Sequence, residues 1–192
     1  MRCPWAEAHP EYGPYHDFEW GTPVYDSRAL YEKLVLDGFQ AGLSWITVLR
    51  KRDALREAFQ GFDPEIVARF DEADVERLMN DARIIRSRTK INSAIHNARV
   101  TLKLRDQGIE LSDLIWGAQD YKPQVNHYAE NTQIPAQTEA SIALSKLLKS
   151  KGYKFCGPTI VYAFMQAVGL VNDHLISCDR HQTLIAISER RP

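Results

Sequence analysis

GYKFCGPTIVYAFMQAVGLVNDHLISC, residues 152–178, is the stretch on which the reading of the fold turns. Gly157 permits a tight backbone turn, Pro158 suits a first helical turn, and Thr159 offers a capping hydroxyl. Val161, Phe164, Met165 and Val168 then recur at helical spacing until Gly169 ends the run. Just upstream, the basic amphipathic run from Ala140 to Lys151 has the same period. The unit therefore reads as helix, short glycine-containing hairpin, helix. Taken alone, that pattern also describes two packed helices joined by a turn. His174 and Cys178 are four residues apart, one helical turn, so both can reach the same metal ion.

Working outward, length and composition set the limits. The 192 residues suffice for one domain with a real core, or for two small lobes sharing one. A hydrophobic share of 44% and a charged share of 26% are those of an ordinary water-soluble globular chain. With a formal net charge of −1, any nucleic-acid surface has to be a local patch. The three cysteines, Cys3, Cys156 and Cys178, are too few and too scattered for a disulfide framework. No basic-then-apolar leader opens the chain and no apolar run approaches membrane-spanning length, so a cytoplasmic location away from the membrane is expected.

Residues 1–25 are rich in aromatics, proline and glycine and show little helical period, so something must tie this arm down. Cys3 and His16, with twelve residues between them, are the candidate ties. Together with His174 and Cys178 they make a Cys2His2 set, the donors a tetrahedral structural zinc prefers. The same four side chains also read as buried and inert. Trp5, Tyr12, Tyr15 and Trp20 suit either a shallow core or a slot for a flat ring.

Asp26 and Ser27 start a helix whose apolar face is Leu30, Tyr31, Leu34, Val35 and Phe39. Gly38 and Gly42 mark a break, and Ser44 caps the next helix, Trp45 to Gln60, which carries Arg50, Lys51 and Arg52. Asp37 before the break and Trp45 after it can face one cavity, although a carboxylate near a helix end is also commonly solvated. Short helices are predicted over 64–70 and 72–80, a long one over 84–107, and another from Ile109 to Trp116. A long loop is expected over 117–137. Arg86, Arg88 and Lys90 read as a solvated face. No strand alternation is evident, so the fold class is all-α.

YHDxEWG at 15–21, DGFQAGLSWxTVLRKR at 37–52, FDP at 62–64, IIRxRxKI at 84–91 and KGYKFCGPTxVYAFMQAxGLVNDH at 151–174 follow one another in order, with Cys178 after them. Together they closely resemble the 3-methyladenine DNA glycosylase I family, over nearly the whole chain up to Cys178. The resemblance implies a single helix-hairpin-helix DNA glycosylase domain over 1–192, with two helical lobes. It also implies a structural zinc on Cys3, His16, His174 and Cys178, joining the two ends of the chain. The tail 179–192 lies beyond it and is assigned no role. The implied reaction is hydrolysis of the N-glycosidic bond of N3-methyladenine in alkylated double-stranded DNA, with free 3-methyladenine as product and a monomer as the acting species. By the family's pattern Tyr15 and Trp45 stack on a flipped base, Trp5 and Trp20 wall the pocket, and the carboxylate at position 37 binds the base's edge. Gly42 and Leu43 form the tip that fills the gap in the duplex, while Lys154, Gly157 and Thr159 meet the DNA backbone.

This chain departs from the pattern in two places and matches its special feature in a third. Position 37 is usually glutamate in the family and here is aspartate, which draws the carboxylate back by roughly 1.5 Å and predicts weaker recognition of the base. Arg83 stands where glycine is frequent. Asn172 occupies the place at which many helix-hairpin-helix glycosylases carry a catalytic aspartate, leaving Asp173 as a structural acid or one that orients a ligand histidine. From these residues two other classes also stay open. One is a protein that masks a damaged base without excising it; the other is a zinc hydrolase acting through His16 or His174.

Overall fold

The computed structural model describes residues 1–189; the last three positions of the tail lie outside the described residues. The chain is mostly helical. The central element is α2 (Ser27–Gln40), started by Asp26, whose carboxylate accepts the Ala29 amide at 2.8 Å. Leu30, Tyr31, Leu34, Val35, Leu36 and Phe39 are all buried on it, because α3 (Trp45–Ala58), α6 (Arg88–Asp106), α7 (Leu111–Gly117) and α9 (Pro158–Ala167) pack around it. Asp37 lies within this enclosed helix and is itself 2% exposed. Beside it, α4 (Pro64–Val67) and α5 (Glu72–Asn80) lean on α6.

The hairpin between α8 (Glu139–Ser150) and α9 is held from below. Thr138 and Ser141 form a capping box at the start of α8. Asn97 of α6 grips the turn at both backbone atoms of Lys154, donating to its carbonyl at 3.0 Å and accepting from its amide at 2.8 Å. Ser145 donates to the Cys156 carbonyl at 2.6 Å. α9 then starts at Gly157, with Pro158 in its first turn. Thr159 does not cap it: the capping position is Gly157, whose lack of a side chain leaves the first amides of α9 uncovered. At the far end of α9, Gly169 has φ +75, and a Cβ there would lie 2.6 Å from the Pro23 nitrogen and 2.7 Å from the Gly21 carbonyl oxygen. That contact presses the N-terminal arm against α9.

Several boundaries differ from those the sequence suggests. The arm contains a 3-10 turn (Pro4–Glu7) and α1 (Tyr12–Phe18), which tertiary packing of Tyr15 and His16 stabilises in spite of Gly13 and Pro14. Ser44 occupies the capping position of α3, but its hydroxyl meets Thr47 at 2.9 Å instead of a backbone amide, and α3 gives way at Gln60–Phe62 to a 3-10 turn. The long helix begins at Arg88, since Ser87 is extended and residues 81–87 turn to bury Ile84. Arg83 there is held by Asp81 and Glu57. The expected loop 117–137 carries a strand, β1 (Gln124–Val125), parallel to β2 (Val171–Asn172); two residues are too few to alternate visibly. His174 and Cys178 are joined by a non-helical turn in which the Cys178 amide donates to the Leu175 carbonyl. Beyond it, α10 (Asp179–Glu189) continues into the tail, and Asp179 pairs with the Met1 amino group.

Candidate functional site

The break between α2 and α3, the aromatic arm and the middle of α9 meet around a cavity of about 420 Å³. Trp5, Tyr15, Trp20, Asp37 and Trp45 all line it, as do Tyr12, Lys33, Gln40, Asn131, Ile134, Ala163 and Gln166. The five wall residues named from the sequence are therefore brought together. Trp5 lies edge-on to Trp20, with centroids 5.0 Å apart, and to Tyr12, at 5.5 Å. Tyr15 and Trp45 are 5.4 Å apart and inclined at 43°. A ring sandwiched between them would need about 7 Å, twice the rise between stacked bases. They are thus adjacent walls of one slot.

Asp37 is the polar centre of the slot. Its Oδ1 accepts from the Lys33 ammonium at 2.5 Å, while Oδ2 is buried with no hydrogen-bond partner among the described residues. Trp45 Nε1 is likewise buried without a partner. Burial pushes the Asp37 carboxyl above the usual carboxylate range, against the pull of Lys33; burial pushes the Lys33 ammonium down, against the pull of Asp37. A buried acceptor and a buried donor without partners, on two residues that line one aromatic cavity, suit a flat ligand that bears hydrogen-bonding groups on its edge. Lys33, Gln40 and Gln166 were not singled out from the sequence. Lys33 stands four residues before Asp37, an ion-pair spacing that signals it.

A second cavity, of about 360 Å³, adjoins the first and shares Asp37, Gln40 and Ala163 with it. Gly42, Leu43 and Thr159 line it. Leu43 is 41% exposed at the tip between α2 and α3, and Gly42 has φ +76. Lys90 fixes this tip by donating to the Phe39 and Ala41 carbonyls at 2.8 and 2.6 Å, so it is a helix-end clamp instead of part of a solvated face. Arg88 is likewise paired, with Glu72 and Glu76. Lys154 is exposed on the hairpin, and nothing lies within 4 Å of where a Gly157 Cβ would be. Arg50, Lys51 and Arg52 each have a partner within the chain: Glu11, the Ala82 and Arg83 carbonyls, and Glu19.

Cys3, His16, His174 and Cys178 converge behind the aromatic wall, with their donor atoms all within 4.8 Å of one another and the residues at most 2% exposed. His174 Nδ1 is 3.2 Å from His16 Nε2, and 3.7 and 3.5 Å from the Cys3 and Cys178 sulfurs; Cys178 is 3.4 Å from His16 Nε2. The outer ring nitrogens are anchored, His16 Nδ1 by Asp17 at 2.9 Å and His174 Nε2 by the Trp20 carbonyl at 3.0 Å. Burial pushes the Cys3 thiol up to about 12 and the His174 imidazole down to about 3.

Asn172 and Asp173 are buried but lie outside the cavity lining. Asn172 donates to the His181 carbonyl and accepts from the His174 amide. Asp173 accepts from Asn126 at 2.6 Å, Tyr162 at 2.6 Å and Gln166 at 2.8 Å. It orients the glutamine of the cavity wall; the two histidines of the Cys/His cluster are held by Asp17 and the Trp20 carbonyl.

With this geometry in view, the comparisons with known proteins are consistent with one another. A family model described as methyladenine glycosylase matches residues 5–181. Escherichia coli (strain K12) DNA-3-methyladenine glycosylase 1 is 51% identical over 177 residues, spanning 92% of this chain and 95% of that protein. The Haemophilus influenzae DNA-3-methyladenine glycosylase is 47% identical over the same share of this chain and 96% of its own. A crystal structure of 3-methyladenine DNA glycosylase I superposes with a TM-score of 0.91 at 50% identity, covering 93% of this chain and 98% of the other. A Staphylococcus aureus 3-methyladenine DNA glycosylase I structure, described as the structural basis of 3-methyladenine recognition, gives 0.88 at 37% identity, over 93% and 95%.

Proposed function

The chain belongs to the methyladenine glycosylase family, and from that membership we infer that it is a DNA-3-methyladenine glycosylase of base-excision repair. Methylation at N3 leaves the adenine cationic, so when the glycosidic bond breaks its electron pair stays on the base and neutralises it. Water adds at the sugar carbon and gives up a proton to solvent. The base needs no proton from the enzyme. What the protein must supply is extraction of the nucleotide from the stack, a place for the base and access for water.

The observation that carries the site assignment is Asp37: a buried carboxylate with one oxygen unpaired, in the lining of an aromatic cavity. In this reading that oxygen accepts from the exocyclic amino group of adenine and complements the positive charge. Tyr15 and Trp45 present ring faces as two sides of the slot, each such cation contact worth about 0.5–2 kcal/mol, and Trp5 and Trp20 close it. Asn172 takes no part in the chemistry, its amide being used on backbone atoms.

DNA is met by the adjoining face. Leu43 enters the duplex at the tip braced by Lys90, with Gly42 giving the turn. α8, the hairpin and α9 act as a helix-hairpin-helix, in which Lys154, Thr159 and the open amides at Gly157 hold a phosphate. The open space beside Gly157 supports this, since nothing inside the protein calls for a glycine there. We further read residues 1–192 as one domain of two lobes, acting as a monomer on double-stranded DNA in the cytoplasm and releasing free 3-methyladenine. Among the described residues, no helix is long and apolar enough to cross a membrane.

Cys3, His16, His174 and Cys178 are the donor set of a structural zinc, and four of their six donor–donor separations match a tetrahedral site. Bond lengths of that metal imply edges of about 3.3 Å between two nitrogens and about 3.6 Å between nitrogen and sulfur, against the observed 3.2 Å and 3.4–3.7 Å. Bound there, zinc would supply a structural cross-link and hold both thiols as thiolates. Four protein donors, all buried, leave no position for substrate, which argues against a zinc hydrolase. Chromatographic detection of free base after incubation with methylated duplex DNA tests the whole reading. Release of 3-methyladenine supports it; binding without release would make the protein a lesion-masking one.

A further inference from the structure

Among the described residues that line the aromatic slot, Lys33 is a charged group that the reaction described above leaves unused. Its ammonium lies 2.5 Å from Asp37 Oδ1 and 4.0 Å above the centre of the Trp45 ring, with a side chain only 15% exposed. Both contacts are ones that a cationic base would need: the carboxylate and an aromatic face. We propose that Lys33 is a resident cation of the lesion pocket, occupying the charge site of the flipped base and exchanging with it, and so is a specificity-determining residue. The proposal rests on the glycosylase reading and deepens it.

The exchange has a physical logic. Without Lys33 the Asp37 charge would sit buried and unpaired, a costly state that favours protonation of the carboxylate. The ammonium keeps that charge in place until the lesion arrives. A cationic base can then take over as counter-ion only if Lys33 withdraws or loses its proton, because two like charges a few ångströms apart repel strongly in such a site. A place to withdraw to exists. Lys33, Tyr15 and Trp45 form the wall shared with a further cavity of about 250 Å³, on whose side Glu19 and Glu32 stand. The charged and titratable groups around the ammonium are Asp37 from α2, Arg52 from α3, and Tyr15 and Glu19 from the arm. Glu19 is already paired with Arg52 and Glu32 with Arg56, so neither carboxylate competes with Asp37 in the resting state.

The consequence is a pocket that charges a toll on cations relative to neutral rings of the same shape, relieved as pH rises and the desolvated ammonium gives up its proton. The test is binding of two probes, the permanent cation 3,9-dimethyladeninium and the uncharged free base 3-methyladenine. Affinities are measured from about pH 7 to about pH 10 for wild type, Lys33→Met and Lys33→Arg. The expected result is a cation-to-neutral affinity ratio at least roughly tenfold higher in Lys33→Met than in wild type at the neutral end, with the gap narrowing toward the alkaline end as the wild-type ammonium loses its proton. In wild type the ratio should climb with pH, and Lys33→Arg should keep it low throughout. A ratio within about twofold of wild type at the neutral end, in a Lys33→Met protein that melts normally, overturns the proposal. If that variant does not fold, a wild-type ratio flat across the alkaline range overturns it instead. Failure of the parent reading looks different: wild type then releases no 3-methyladenine from DNA and binds neither probe, which sinks both. Wild type that releases base while the ratio stays fixed sinks the role of Lys33 alone.

Discussion

Asp37 shows how one methylene sets a site. The resemblance read from the sequence implies glutamate at this position; here the shorter aspartate stays within reach of Lys33 one turn earlier and has Oδ2 without a partner among the described residues. Asp37→Asn removes the charge and strands Lys33 in the cavity. Base release should fall by roughly 10- to 100-fold, the worth of about 1.5–3 kcal/mol for a hydrogen bond to a charged group, as measured under single turnover. Asp37→Glu extends the acceptor toward the slot and should raise both excision rate and free-base affinity severalfold. Unchanged values in Asp37→Glu would remove the position from base recognition. The pH response follows from the directions of shift. Asp37 has its carboxyl raised by burial, so its contribution to base binding is lost on the acid side at a higher pH than for an ordinary aspartate. A pH–rate profile of Asp37→Asn lacking that acid limb checks it.

At the scale of elements, the two ends of α9 make opposite predictions for the same substitution. Gly157 has φ −65 and ψ 158, open to any residue, and free space where a Cβ would go. Gly157→Ala should therefore leave stability within about 1 kcal/mol, a lost cap set against reduced freedom of the unfolded chain, yet weaken DNA binding by crowding the phosphate. Loss of stability with intact DNA affinity would refute the hairpin as a phosphate site. Gly169 is the reverse, with a positive φ and backbone atoms of the arm within 2.7 Å of a would-be Cβ. Gly169→Ala should cost more than about 2 kcal/mol and lower the melting temperature by at least roughly 4 °C, read by calorimetry. The sequence showed both glycines as turn markers but not their difference, because a glycine needed for strain and one needed for an external ligand look alike in one dimension.

For the molecule as a whole, the Cys2His2 cluster links the arm that supplies the slot's walls to the strand–turn that follows α9. If zinc is bound there as proposed, a strong chelator should lower the melting temperature first and activity through it, with both restored by added zinc. Activity lost while the melting temperature holds would favour a chemical role for the metal. DNA affinity should fall steeply with salt, though by fewer phosphates than the basic residues suggest, since Arg50, Arg52, Arg83 and Arg88 are all paired with carboxylates of the chain. A salt slope near zero would count against a DNA substrate.

The sequence by itself determined the helical class, the starts of most helices, the set of metal-type donors and the aromatic and acidic residues of the slot. Those depend on local chemistry: helical period, turn residues, and side chains whose types admit few uses. Only the tertiary structure decided what the same residues touch. It made a helix of Tyr12–Phe18, began the long helix at Arg88, put His174 and Cys178 on a turn, and closed Arg50, Lys51 and Arg52 into internal contacts. It turned Asp173 toward Gln166 and brought Lys33 into the slot. Each of those outcomes depends on partners far away in the chain, and the energy of a buried or paired group depends on who surrounds it more than on what it is.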